Sequence, residues 1–588
     1  MDPATAPVAA GRPSARHPVV LAALVALILA AAGLRWVALD AGLPHVREAD
    51  AAMVHFAAFH ARPPGAPVTE AVYPSRVYPQ FLGRLLGVLP GSSYAEEAPP
   101  GAQLGAHQAA AAEPYWRARL LIALLSLLAI PFTYLFARNW LEPGWSLFAA
   151  CLPATSMNFL EVSVVAKPHG ALAGLAAVAL WAIVRLVREA GWRAYLAAGT
   201  ATGAALATLN SGAFLLPALG LAHVLGWRSD RVRARWARVG LAVALCGGFF
   251  LLGYAYLFAP RPEAERVAGA LQFGENAIYW HTWGLGNIRN VAPRLFAFEP
   301  VLTILAGVAL TWLTLKLAFD PGARRAARRP EVLVVALYFV IWLILFGLHE
   351  RFFPRYALPV LPVLCVLAAH PLRALARALA ARVRAPVASQ LVAPALALFA
   401  LVYPARATWQ AAWIRAVPDT YEQAAAWIEE HLDPAHGPVA VDMTLGLPLV
   451  ARRESLAAWP SWSLQPWQRY QLEILTRELP GPAWDLRPIH FRGIQHDRRI
   501  DAGEIDQVLA LVRPRYVVVS VPDPDSATRD ATREAVRARC GPPLASFSPL
   551  RAGRAEAAFR TRDFHLDHLA HVLASARLGP PIEVYAVP

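Results

Sequence analysis

Glu331–Leu348 reads EVLVVALYFVIWLILFGL, one acid followed by an unbroken apolar run. No face of a helix built from this run suits water, and the run is long enough to cross a hydrocarbon core of ~30 Å, which takes ~20 apolar residues. Arg324, Arg325, Arg328 and Arg329 precede it, and Arg351 and Arg355 follow within a few residues. The same alternation of apolar run and arginine cluster extends in both directions. Further spans are expected near 18–38, 116–136, 145–164, 169–187, 194–209, 211–226, 238–259, 299–318, 355–370 and 387–404, about eleven in all. At Asn210-Ser211-Gly212 two readings stay open, a turn between two spans or a break in one re-entrant segment.

Composition agrees with that class. The 588 residues are 57% hydrophobic and only 16% charged, against roughly 25% charged in soluble domains, and the mean hydropathy is +0.39. The net charge of +14 is spread over short clusters between apolar runs, which points to membrane orientation and away from nucleic acid. The four cysteines offer no disulfide framework or zinc spacing. No phosphate-cradling glycine loop, serine triad or paired cysteine motif is found, so ATPase, hydrolase and redox functions lack support.

Short cytoplasmic loops retain Lys and Arg. With the N-terminus inside, every inward connection is basic: Arg138; Arg185, Arg188 and Arg193; Arg228, Arg231, Arg233, Arg235 and Arg238; Arg324 to Arg329; Arg373, Arg377, Arg382 and Arg384. The expectation is a multi-pass protein of the plasma (inner) membrane with loops 39–115 and 260–298 and the tail after 404 outside. Residues 1–404 then form the transmembrane module and 405–588 an extracytoplasmic α/β domain. In the tail, Thr420–Glu430 and Glu504–Val512 read as helices, and Pro438–Val441, Tyr516–Ser520 and Ile582–Val587 as strands. In the first outer loop, Tyr78–Leu89 has the spacing of an interfacial helix, and 91–113 reads as flexible.

The residues resemble bacterial GT-C glycosyltransferases of the protein O-mannosyltransferase and aminoarabinose transferase superfamily. Gly42-Leu43-Pro44 and Asp50 stand where that family has an acidic pair after its first span. Tyr73-Pro74-Ser75 and Tyr78-Pro79 are similar to its aromatic-proline stretch, and Arg355-Tyr356-Ala357-Leu358-Pro359-Val360-Leu361-Pro362 to the segment opening a late span. The tail's Pro418-Asp419-Thr420 and Gly579-Pro580-Pro581-Ile582 are similar too. Two departures stand out: Ala51 occupies the place of the second acid, and Ala166-Lys167-Pro168-His169 has His where relatives place an acid.

The resemblance implies an inverting sugar transfer from a polyprenyl-phosphate-linked donor to a lipid, glycan or protein acceptor. Such chemistry needs a base for the acceptor hydroxyl and positive charge for the departing phosphate. Asp50 is the candidate base, with Glu48 beside it. Lys167, His169, Arg351, Arg355 and Tyr356 are the candidate donor-binding residues, Arg forking onto phosphate oxygens and Lys acting as a point charge. The same cations would also suit plain anchoring to membrane lipids. The residues point to no particular cofactor. A divalent metal has two places to bind, the loop cluster His45, Glu48, Asp50, His55 and His60, and the tail run His565, His568 and His571. Two other functions stay open, a transporter or flippase and a non-catalytic relative.

Overall fold

A computed structural model describes residues 17–45, 54, 79–89, 97–226, 232–254, 288–347, 353–383, 385–442, 445–459, 464–475, 477–489, 502–520, 527–552 and 569–588. In chain order the helices are α1 (His17–Ala38), α2 (Phe81–Gly87), α3 (Leu104–Leu127), α4 (Ala129–Ala137), α5 (Pro143–Ala154), α6 (Met157–Ser163), α7 (His169–Glu189), α8 (Trp192–Thr208), α9 (Leu215–Leu225), α10 (Val232–Tyr254), α11 (Val291–Phe298), α12 (Pro300–Phe319), α13 (Pro321–Ala327), α14 (Pro330–Gly347), α15 (Leu361–Ala380) and α16 (Pro386–Trp413). The tail holds α17 (Thr420–His431), β1 (Val439–Asp442), α18 (Arg453–Ala457), α19 (Pro466–Arg469), β2 (Leu486–Ile489), α20 (Ala502–Val512), β3 (Tyr516–Ser520), α21 (Ala527–Cys540), β4 (Ala545–Phe547), α22 (Leu569–Ala574) and β5 (Ile582–Ala586).

Within the described residues, each expected span falls on a helix or a pair of helices. Among the described residues, eight helical stretches are long and apolar enough to cross a membrane, and Asn210–Leu225 is a shorter apolar one. The segment 145–164 is not one helix. It breaks at Thr155-Ser156, where Ser156 leaves helical geometry and its hydroxyl accepts from the Phe159 N–H to cap α6. At Asn210 the chain folds back on itself, as two contacts show. The Tyr195 hydroxyl, near the start of α8, lies 2.6 Å from His223 Nδ1 near the end of α9, so the two helices are antiparallel. At the opposite end, the Tyr254 hydroxyl donates to Asn210 Oδ1 at 2.6 Å.

The arginine-bearing connections gather at one end of this bundle. Glu142 receives Arg377 at 2.6 Å and also pairs with Arg373. Arg188 meets Glu331 at 2.9 Å, and Arg238 donates to the Ala190 carbonyl at 2.8 Å. α3 and α7 approach so closely that a Cβ on Gly174 would sit 2.0 Å from the Leu125 carbonyl oxygen. Gly174→Ala is therefore expected to lower stability by about 1–3 kcal/mol, the usual cost of overpacking, seen as an earlier thermal melt in detergent.

The segment expected to be flexible, 91–113, is helical from Leu104 onward and extends α3 beyond the apolar run. Its Ala-rich sequence favours helix, and Ala111 packs against Trp467, Tyr470 and Leu475 of the tail. The expected interfacial helix is α2, with Leu82 and Leu86 buried. Among the described residues of the tail, five strands run in the order β2-β1-β3-β5-β4, β1 parallel to β2 and β3, β5 antiparallel to β3 and β4. Asp419 and Glu422 form a capping box that starts α17.

Candidate functional site

At the end of the bundle opposite the arginine clusters, four segments converge: the exit of α1, the α5–α6 break, the α6–α7 turn, and a 3-10 turn at Pro354–Val360 that leads into α15. Neighbouring side chains add hydrogen bonds to its carbonyls. Asn158 Nδ2 donates to Pro354 O at 3.1 Å, Trp342 Nε1 to Tyr356 O at 2.7 Å, and the Tyr338 hydroxyl to Pro359 O at 3.0 Å.

Four of the residues singled out in the sequence meet here. His169 opens α7, and its ring centroid lies 6.1 Å from that of Tyr356. Lys167 is two residues earlier in the same turn, and both Lys167 and His169 are buried, at 8% and 6% exposure. The first turn of a 21-residue helix adds the positive end of its dipole. Arg355 stacks its guanidinium 4.3 Å from the Phe353 ring centroid and 5.5 Å from that of Tyr356. Its Nε is buried and has no hydrogen-bond partner among the described residues, a donor suited to an anion. Arg351, Asp50 and Glu48 lie outside the described residues, as do His55, His60, His565 and His568. Val54, four positions after Asp50, is fully buried in a cluster with Leu82, Leu86, Tyr115, Ala166 and Ala171. His45 lies 3.1 Å from Gln108 Nε2 and edge-on to Trp467. Among the described residues no group of three metal-binding side chains is gathered, and His571 is buried in α22.

Two features escaped the sequence. The first is Glu299, 8% exposed, which accepts from the Ser156 hydroxyl at 2.6 Å and the Asn158 N–H at 3.1 Å. The second is an apolar cavity of about 220 Å³ that starts at Ser156, Asn158 and Glu299 and continues past Leu302, Trp342 and Leu358 to Leu310. From Glu299 to Leu310, α12 rises roughly 17 Å at 1.5 Å per residue. A groove with apolar walls thus ends on a polar head beside the Arg355 turn.

More buried charge surrounds this end. Arg119 Nη1 donates to the carbonyls of Leu39 and Ala41 at 2.6 and 2.9 Å, fixing the chain where it leaves α1. Arg415 lies 3.9 Å from Glu161. Burial lowers the pKa of Arg415, Glu161 opposes that shift and Arg119 adds to it.

The class defined by these features is a polytopic helical membrane protein with a cation-lined site at the mouth of an apolar groove. Residues 109–249, about a quarter of the chain, match the family described as dolichyl-phosphate-mannose-protein mannosyltransferase. The resemblance noted in the sequence therefore holds over a segment that contains Lys167 and His169. The chain is also similar to the solved structure of ArnT from Cupriavidus metallidurans bound to undecaprenyl phosphate, at 17% identity over 97% of this chain and 98% of that one, with a TM-score of 0.46. It is similar to the archaeal oligosaccharyltransferase AglB from Archaeoglobus fulgidus in complex with an inhibitory peptide and a dolichol-phosphate, at 14% identity over 87% and 70%, TM-score 0.48. Arabinofuranosyltransferase AftD from Mycobacteria is similar at 16% identity over 98% and 40%, TM-score 0.38. No curated protein matches the sequence.

Proposed function

We propose that this chain is a membrane glycosyltransferase that moves a sugar from a polyprenyl-phosphate carrier to an acceptor hydroxyl on the outer face of the plasma membrane. In this reading the N-terminus and the arginine clusters are cytoplasmic, and the tail from about residue 405 is extracytoplasmic. The acceptor oxygen loses its proton to Asp50, with Glu48 beside it, and attacks the anomeric carbon. The bond from that carbon to the phosphate oxygen breaks, polyprenyl phosphate leaves with the electron pair, and the configuration inverts. Lys167, His169, Arg351, Arg355 and Tyr356 receive the phosphate, and the cavity along α12 takes the first isoprene units.

The observation that carries this reading is the junction of the Arg355 turn, the Lys167–His169 helix start and the apolar groove, supported by the family match over 109–249. An anion on an apolar tail fits both halves of that junction. Purified protein in liposomes is supplied with radiolabelled polyprenyl-phosphate sugars and a membrane acceptor extract. Label transfer is expected, and Arg355→Ala is expected to reduce it by about 10- to 100-fold, the weight of one or two charge-assisted hydrogen bonds. The reading fails if no donor gives transfer, or if the Lys167→Ala/Arg355→Ala double variant works as well as the parent. Substrate translocation without transfer would mark a transporter instead.

A further inference from the structure

At the arginine end, α9 and α10 lean on α8 without packing closely on each other. α8 and α10 touch through backbone, since a Cβ on Gly199 would lie 2.9 Å from the Ala242 Cα, while α9 packs toward α14 and α7. What remains between α9 and α10 is a groove of about 460 Å³ with Leu219 and Gly220 on one wall, Val243 and Gly247 on the other, and Leu206 on its floor. The Tyr195–His223 pair stands at one end and Phe250 toward the other.

We infer that this groove is a binding site for one acyl chain of an anionic glycerophospholipid from the leaflet at the arginine end. Length is the first argument. From Val239 to Phe250 the wall rises roughly 17 Å, close to half of a ~30 Å hydrocarbon core and so to the depth of one leaflet. Charge is the second. Arg238 stands one residue before the groove-lining Val239, with its guanidinium 5.9 Å from the Trp192 ring centroid. Arg193 is exposed beside it. Among the described residues, three acids of this end are engaged elsewhere: Glu189 by Arg185 at 2.7 Å, Glu331 by Arg188 at 2.9 Å, and Glu142 by Arg377 at 2.6 Å. A phosphodiester headgroup meets net positive charge there, and basic pockets between helices on a cytoplasmic face suit such lipids. The exposed Trp192 and Trp236 mark headgroup depth. The site lies at the opposite end from the Arg355 junction and does not depend on the transferase reading.

The groove can be filled without disturbing its frame, because a Cβ added at Gly220 or Gly247 meets nothing within 4 Å. Full-length protein is delipidated in detergent and titrated with phosphatidylglycerol or phosphatidylcholine of the same acyl length, with native mass spectrometry counting bound lipid. The parent is expected to retain one phosphatidylglycerol in clear preference to phosphatidylcholine. Gly220→Leu and Gly247→Leu are expected to cut that retention at least tenfold, and Arg238→Gln to erase the headgroup preference. Gly307→Leu, in the cavity at the other end, serves as the control and keeps the lipid. Equal retention in parent and filled variants, or equal binding of the two lipids by the parent, overturns the inference. Elution as a single species on size exclusion separates loss of the lipid from loss of the fold.

Discussion

Asp50→Asn is expected to leave the protein folded and to lower sugar transfer by a factor on the order of 10² to 10⁴, the usual contribution of a positioned general base. The amide keeps the shape of the side chain and loses only its ability to take a proton. The effect should fall on kcat with KM for the lipid donor little changed, because donor binding is assigned to the cations. Asp50 is followed by Ala51, so no neighbouring Glu at position 51 can stand in. Glu48→Gln should cost much less. Transfer by Asp50→Asn within threefold of the parent rules out this base while leaving the donor site in place. A large rise in KM would assign Asp50 to binding.

Glu299 carries the second large effect. Its carboxylate joins the start of α12 to the cap of α6, and Asn158 passes that position on to the Pro354 carbonyl beside Arg355. Glu299→Ala leaves the Ser156 hydroxyl and the Asn158 N–H without their acceptor in a buried place. The expected loss of stability is roughly 2–5 kcal/mol, at 1–3 kcal/mol per buried unsatisfied donor, with weakened donor binding. Glu299→Gln retains an acceptor oxygen and should melt near the parent temperature.

The spans were legible in the sequence because hydrocarbon imposes a length and leaves little choice of composition. Arg355 and Tyr356 were singled out by the resemblance to a family segment and by their place flanking a span. Glu299 was not, since a lone acid before Pro300 looks like an ordinary helix start, and its partners lie 143 and 141 residues away. Neither groove could be read, because a groove is the space between helices, and hydropathy records only the helices. The tail divides in the same way. The inner strands β1, β3 and β5 are buried runs and were foreseen. The edge strands β2, with Arg487 and Pro488, and the three-residue β4 lack that signature.

Arg35 has a consequence for how the molecule is made. It sits in the first helix, nearly sealed from solvent, and its guanidinium donates to Ser126, 91 positions later, and reaches Ser163, 128 positions later. A ribosome has yet to synthesise either serine when that helix first meets lipid. Until both arrive, the nascent chain carries an unsolvated cation, so α1 gains by lingering at the translocation machinery until α3 and α6 join it. Insertion is thereby tied to assembly, and truncation before residue 163 should yield a first helix that is held poorly in the bilayer.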